Sequence, residues 1–247
     1  MVDIFDVKDK VIVVTGSGRG NGKAIAEGFL KNGSIVCFID KYFEKMPKKR
    51  KKHYEIEFDL RNTKDIPELV NNIYLRFNTI DVLVNNAGIS LSSKNPYDEE
   101  ILDQTLSINL KAAYILCHQV CLLMSKKRGG SIINITSLGA ELGFPDNPSY
   151  QTSKAALKQL TKALARDWGE YGIRINNLCP GYILTSMTRK SYDDDKLREE
   201  RSKRMILGRW GTPNDLVGPC IFLASNASSY ITGSDIYVDG GWTSKGL

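Results

Sequence analysis

The sequence of 247 residues predicts a doubly wound α/β fold, a mostly parallel seven-stranded sheet with helices on both faces, in a single domain spanning residues 1–247. Three observations carry that expectation. Short β-branched runs alternate with longer amphipathic stretches from one end of the chain to the other, the pattern of repeated strand–helix units. Most of the short runs are apolar at every position, as strands covered by helices on both faces must be. With 42% hydrophobic and 25% charged residues, the chain has the composition of a globular domain, and it is long enough to bury a core without disulfides or structural metals.

The first strand is expected at 11–15, where Val11, Ile12, Val13 and Val14 form a continuous β-branched run. It leads into a glycine-rich turn and a helical segment. Further strands are expected at 35–39, 54–58 and 82–85, and the short passage from Asp40 to Asp59 leaves room for at most a stunted helix. A long helix around 112–124 is apolar on more than one face. After a strand at 132–136, the segment 155–168 places Leu157, Leu160, Leu164 and Trp168 on one stripe at helical spacing. The last strands are expected at 173–178, before a Pro180-Gly181 turn, and at 236–238. Residues 182–207 break the rhythm: they are densely charged, without strand or helix periodicity, and a loop of that length is read as a functional lid.

Several function classes are excluded by composition. The formal net charge of +6 is concentrated in the KKRKK run at 48–52, which lacks interleaved aromatics and is read as a solvated loop, with no nucleic-acid partner. No apolar run approaches the ~20 residues a bilayer span requires, the longest candidate being interrupted by His118 and Gln119, so no membrane partner is expected. The N-terminus has no basic region leading into an apolar stretch and is not read as a secretory signal. Five cysteines without a CxxC pair are read as buried reduced thiols in a reducing, cytoplasmic setting. Cys117 and Cys121 share a helix face beside His118, but the histidine points elsewhere and the neighbours are apolar, so no metal is expected. The two histidines, His53 and His118, belong to no recognisable nucleophile–base pairing.

The glycine-rich turn carries the first chemical signal. Gly16, Gly18, Gly20 and Gly22 follow a strand and open a helix, so that the backbone and the helix dipole can cradle a pyrophosphate. The spacing is TGxxxGxG, and no GK[ST] follows, which excludes a P-loop. About twenty residues further on, Asp40 ends the second strand where a carboxylate can accept both ribose hydroxyls of an adenosine.

With that turn in place, Asn85-Asn86-Ala87-Gly88, Asn109, Ser137, Tyr150-x-x-x-Lys154 and Pro180-Gly181 follow in order, each at a strand's carboxyl end or on the next helix. In these motifs the whole chain resembles the short-chain dehydrogenase/reductase family. The resemblance implies a Rossmann-type domain and hydride transfer between a nicotinamide cofactor and a small-molecule substrate. Tyr150 and Lys154, four apart, lie on one helix face. A free phenol has a pKa of about 10, and the nearby ammonium and a cationic nicotinamide are expected to favour phenolate. Tyr150 would then exchange the proton with the substrate oxygen, and Ser137 would orient that oxygen, making both substrate contacts. The resemblance adds that Lys154 holds the nicotinamide ribose and that Asn109 interrupts its helix and positions a water.

The cofactor contacts implied by resemblance are Gly16, Arg19, Gly20, Asn21 and Gly22 in the turn, Asp59 and Leu60 beside the adenine, and Asn86, Ala87 and Gly88 on the adenine-ribose side. Pro180, Gly181, Ile183 and Thr185 follow on the nicotinamide side. Asn21 departs from the family, which has Ile or Leu there. Arg19 and Lys41 invite a 2′-phosphate, whereas Asp40 stands where that phosphate must go. Two like charges ~4 Å apart cost about 4 kcal/mol, against about 1 kcal/mol for an exposed Arg–phosphate pair, so NAD is expected over NADP. The C-terminal run 208–242 looks most like branches acting on sugar acids and polyols, such as gluconate 5-dehydrogenases, and on 3-oxoacyl thioesters, with the first favoured. An NADPH-dependent 3-oxoacyl thioester reductase is the enzyme alternative, and a nucleotide-sensing scaffold the non-enzyme one. A homotetramer is expected from the apolar 112–124 helix and from the tail at 238–242, which resembles the family's subunit contact.

Overall fold

Strand β1 (Val11–Thr15) is buried at every position, because it lies in the middle of a sheet covered on both faces. Around it the computed structural model, which describes residues 3–43, 52–91 and 93–245, arranges β2 (Ile35–Asp40), β3 (His53–Glu57), β4 (Val82–Asn85), β5 (Gly130–Ile135), β6 (Ile173–Pro180) and β7 (Asp235–Val238). The order is β3-β2-β1-β4-β5-β6-β7 and every pairing is parallel. Every expected strand is present, its ends displaced by no more than two residues.

Alternation along the strands divides the core. Val13, Ile39, Leu83 and Ile132 face one cluster, closed by α2 (Ile66–Phe77), α4 (Ala113–Lys127) and α5 (Pro148–Trp168). Ile12, Val14, Val36 and Phe38 face the other, beneath α1 (Gly20–Lys31) and α8 (Val217–Ala224). The strand order reverses direction between β1 and β4, and at such a switch point the loops beyond the carboxyl ends diverge and leave a crevice.

Four expectations need correction or restriction. Residues 182–207 are not an irregular loop throughout: 189–204 carry α6 (Arg189–Asp193) and α7 (Asp195–Arg204). The sequence DKLREERSKR is rich in helix formers, Asp194 caps it by accepting from Leu197 N at 3.0 Å, and Arg198–Asp195 and Lys203–Glu199 pairs brace it. Being polar all round, it has no apolar stripe to announce a helix. Of the KKRKK run, residues 48–51 lie outside the described residues, as do residues 44–47 of the passage 40–59, while Lys52 pairs with Asp9. Cys117 is not in purely apolar surroundings, since its sulfur accepts from Asn85 Nδ2 at 3.1 Å.

The fourth concerns the membrane reading. By length and composition the continuous helix Glu99–Lys127 could cross a bilayer, although Lys111 and His118 interrupt its apolar run. Its Leu116, Cys117, Val120, Cys121 and Met124 instead pack in the core cluster against the sheet. Within it, α3 (Glu99–Leu106) joins α4 through a π-helical turn, Ser107–Ala112.

Candidate active site

The site begins where β1 stops. Gly16 takes φ 64°, and a Cβ there would lie 2.8 Å from Ala87 Cα, so only glycine lets the turn pass so close to the loop after β4. That loop is tied down: Asn86 N–H and Ala87 N–H both donate to Thr15 Oγ1 at 3.1 Å, and Asn86 Nδ2 donates to Thr15 O at 2.9 Å. Helix α1 has no side-chain cap and no acidic residue in its first turn, which leaves its N-terminal amides to an anion. Asp40 Oδ2 accepts from Gly18 N at 2.9 Å, which fixes the carboxylate at the end of β2. Asn21 Oδ1 is buried without a partner among the described residues. An open helix N-terminus and a glycine cradle fit a dinucleotide phosphate, while the Asn21 oxygen, an acceptor, suits a hydroxyl donor instead.

Across the cleft, Ser137 follows β5 and caps a short turn by accepting from Gly139 N at 3.1 Å. A Cβ on Gly139 would lie 3.6 Å from Ser137 Oγ and 3.8 Å from Tyr150 Cδ1, so this short turn sits in contact distance of both side chains. Tyr150 and Lys154 lie in the first two turns of α5. Lys154 is buried, donates to Ile135 O at 2.7 Å, and sits 5.9 Å from the Tyr150 ring centroid. Asn109, in the π-helical turn, is buried and bonded at both ends: Oδ1 accepts from Ile89 N at 2.8 Å, and Nδ2 donates to Ile89 O and Ser153 Oγ, each at 2.9 Å. A Cβ at Gly88 would lie 3.3 Å from both Asn109 Oδ1 and Lys154 Nζ, so the loop after β4 closes over both.

Among the protein's own groups, burial dominates the electrostatics of both side chains. Burial raises the Tyr150 phenol above its ordinary value, with the Ser137 hydroxyl opposing it. Burial likewise lowers Lys154 to about 8. Burial alone accounts for the Lys154 shift, and it outweighs the hydrogen bond to Ile135 O, which favours the ammonium.

These groups line one cleft of about 700 Å³, which takes in Gly16, Arg19, Gly20, Asn21, Asp40, Asp59, Leu60, Asn86, Ala87, Gly88, Ser137, Tyr150, Lys154, Pro180, Gly181, Ile183 and Thr185. Gly22 and Asn109 do not line it. Gly22 packs beneath the turn against Gly16 O, and Asn109 lies behind Lys154. Sequence reasoning missed Arg61, whose guanidinium pairs with Asp59 and holds its carboxyl below the usual range. It also missed Thr188, whose Oγ1 donates to Ile183 O at 2.6 Å and accepts from Thr185 N at 3.0 Å, although its place three residues after Thr185 is the signal of such a turn.

A cleft at the switch point of a doubly wound sheet, with a phosphate cradle at one end and a Ser–Tyr–Lys cluster at the other, defines an oxidoreductase that uses a nicotinamide cofactor. The chain belongs to the short-chain dehydrogenase/reductase family: a family model described as enoyl-(acyl carrier protein) reductase matches residues 16–243. Among curated relatives, the 2-dehydro-3-deoxy-D-gluconate 5-dehydrogenase of Escherichia coli strain K12 is 33% identical, over 99% of this chain and 100% of its own. The gluconate 5-dehydrogenase of Gluconobacter oxydans is 34% identical, over 98% and 97%. Among solved structures, a gluconate 5-dehydrogenase from Burkholderia cenocepacia in complex with NADP and tartrate superposes with a TM-score of 0.92 at 31% identity, covering 99% of each chain.

Proposed function

We propose that the enzyme interconverts a secondary alcohol and a ketone on a sugar acid or polyol, with NAD(H) as its cofactor. The observation that carries the reading is the single cleft, which joins the Gly16 turn and Asp40 at one end to Ser137, Tyr150 and Lys154 at the other. The sugar-acid class rests on the relatives' names.

Bound there, a nicotinamide ring supplies the hydride acceptor or donor. The turn at 16–22 holds the phosphates, Asp40 the adenosine ribose, and Asp59, Leu60 and the 86–88 loop the adenine side. Ile183 and Thr185 hold the carboxamide, with Pro180 and Gly181 shaping the approach. Tyr150 keeps its proton at neutral pH because burial holds its pKa up, and the neutral phenol is the form that donates to a ketone oxygen. Ser137 hydrogen-bonds the same oxygen. Lys154 binds the nicotinamide ribose through its ammonium, and Asn109 fixes the loop after β4 and, through Ser153, the Tyr150 backbone.

Asp40 supports the cofactor preference: its carboxylate is anchored on Gly18 N–H, while Arg19 and Lys41 are exposed at the rim. The Burkholderia relative was solved with NADP, so both cofactors belong in the test. With D-gluconate and sorbitol as substrates, kcat/KM is expected to be at least tenfold higher with NAD, a difference of about 1.4 kcal/mol. Asp40→Ala narrows or inverts the ratio. Equal or better efficiency with NADP in the wild type overturns the preference, and no turnover of any alcohol or ketone overturns the reading.

The subunits assemble as a homotetramer through the helices around α4 and α5, where an apolar groove is open at the surface. All five cysteines are free and buried, which suits the cytoplasm as the compartment.

A further inference from the structure

One polar side chain in the wall of the cleft has no use in the scheme above. Ser90, half-buried, lines the cleft together with Gly88, Ser137, Tyr150 and Lys154. Its oxygen accepts from Asn147 Nδ2 at 2.7 Å, and no group among the described residues accepts its proton. A hydroxyl whose oxygen already accepts a bond still has its proton to donate, and the accepted bond makes it the better donor. The contact is fixed from both sides. Asn109 clamps both backbone groups of Ile89, the residue before Ser90. Asn147 stands at the N-cap of α5, where an asparagine oxygen ordinarily accepts from the helix's own amides; it makes no such bond, and its amide goes to Ser90 instead. Asn147 also precedes Tyr150 by three residues, about 5 Å along the helix, which sets Ser90 toward the reacting end of the cleft and away from the adenosine end.

We propose that Ser90 is a specificity-determining residue that donates to a hydroxyl oxygen on the carbon next to the reacting one, with Asn147 holding it in position. This rests on the sugar-acid and polyol reading and deepens it. Leu91, Ile108 and Met187 line the same cleft and offer the proton no side-chain acceptor. A substrate with a neighbouring hydroxyl supplies one, whereas a simple secondary alcohol leaves the donor unpaired, and a site built to bond a hydroxyl discriminates against the analogue that lacks it.

The test compares meso-2,3-butanediol with 2-butanol, which differ only in the neighbouring hydroxyl, in the wild type, in Ser90→Ala and in Asn147→Asp, whose carboxylate takes the Ser90 proton for itself. The ratio of kcat/KM for the diol to that for 2-butanol is expected to exceed one in the wild type and to fall about three- to tenfold in both variants, the range of one neutral hydrogen bond. An unchanged ratio overturns the assignment, and so does an equal fall for both alcohols, which marks a merely structural role. Binding to the enzyme–NADH complex, read by NADH fluorescence, makes the same comparison without turnover. Acetoin should bind more tightly than butanone, and Ser90→Ala should remove the difference. That result supports the assignment even if the wild type fails to oxidise D-gluconate and sorbitol, which would count against the sugar-acid and polyol reading alone. Equal binding of the two ketones by the wild type, or none, overturns it.

Discussion

At the scale of single residues, the site is governed by desolvation. Tyr150 keeps its proton because its surroundings disfavour the phenolate, so the alcohol-oxidising direction, which needs the base, should speed up about tenfold per pH unit from pH 7 to 9, while ketone reduction stays flat. Parallel pH profiles in both directions would contradict this. Tyr150→Phe keeps the ring and loses the transferable proton: turnover should drop at least ~10²-fold with cofactor affinity nearly intact, as read by steady-state rates and by cofactor titration. Lys154 makes the opposite kind of statement. Its folded pKa of about 8 lies below the 10.5 of the free side chain, so below pH 8 the buried ammonium costs stability, and the cost disappears as pH rises toward 10.5. The shift corresponds to about 3 kcal/mol, less about 1 kcal/mol for the lost bond to Ile135 O. Lys154→Met should therefore raise Tm by roughly 4–8 °C at pH 7 while abolishing activity, and the gain should shrink by pH 10 in calorimetry.

Among the elements, the π-helical turn Ser107–Ala112 is tied to its neighbours through one buried side chain. Asn109 satisfies both backbone groups of Ile89 and ties α5 through Ser153, so Asn109→Ala leaves buried polar groups without partners and should cost about 3 kcal/mol, measured by urea unfolding, with turnover lost alongside. The glycine-rich turn has the same character: a Cβ at Gly22 runs into Gly16 O, so Gly22→Ala should push α1 outward, costing about 1–3 kcal/mol and weakening cofactor binding at least tenfold in titration. How far such elements were legible in the sequence depends on what marks them. The strands were, because burial on both faces writes an unbroken apolar run, as in Val11, Ile12, Val13 and Val14. Most of the lining of the cleft was as well, because glycine turns, Tyr150 and Lys154 have fixed chain spacings. Helix α7 was not, since a helix polar on every side carries no periodicity. The Arg61–Asp59 pair and the desolvation of Tyr150 were hidden for a related reason, because a sequence does not show which charge ends up nearest to which.

For the whole molecule, the open question of assembly turns on one groove. A cavity of about 800 Å³ runs between the α3–α4 helix and α5, lined by Leu106, Leu110, Tyr114, Ala156, Leu160 and Ala163, with Asp103 and Lys111 at its margins. Tyr114 is 54% exposed although it lies on a helix whose other face is packed in the core, so this helix has an apolar side that the chain itself does not cover. A second copy related by a two-fold axis would lay the same pair of helices against it, and antiparallel pairing would set Asp103 of one copy near Lys111 of the other, a self-complementary arrangement that an isologous interface requires. In the tail, Trp242 is buried in its own chain's aromatic cluster, and the edge strand β7 with the exposed Tyr237 offers a nearby surface for a second contact. Two such two-fold contacts give a closed tetramer. Light scattering at micromolar concentration should report a tetramer for the wild type, and Ala163→Glu, which adds a charge to the exposed groove floor without touching the core, should reduce it to dimers or monomers with the secondary structure unchanged in circular dichroism. A monomeric wild type would refute the assembly, and a tetramer that survives Ala163→Glu would move the interface away from this groove.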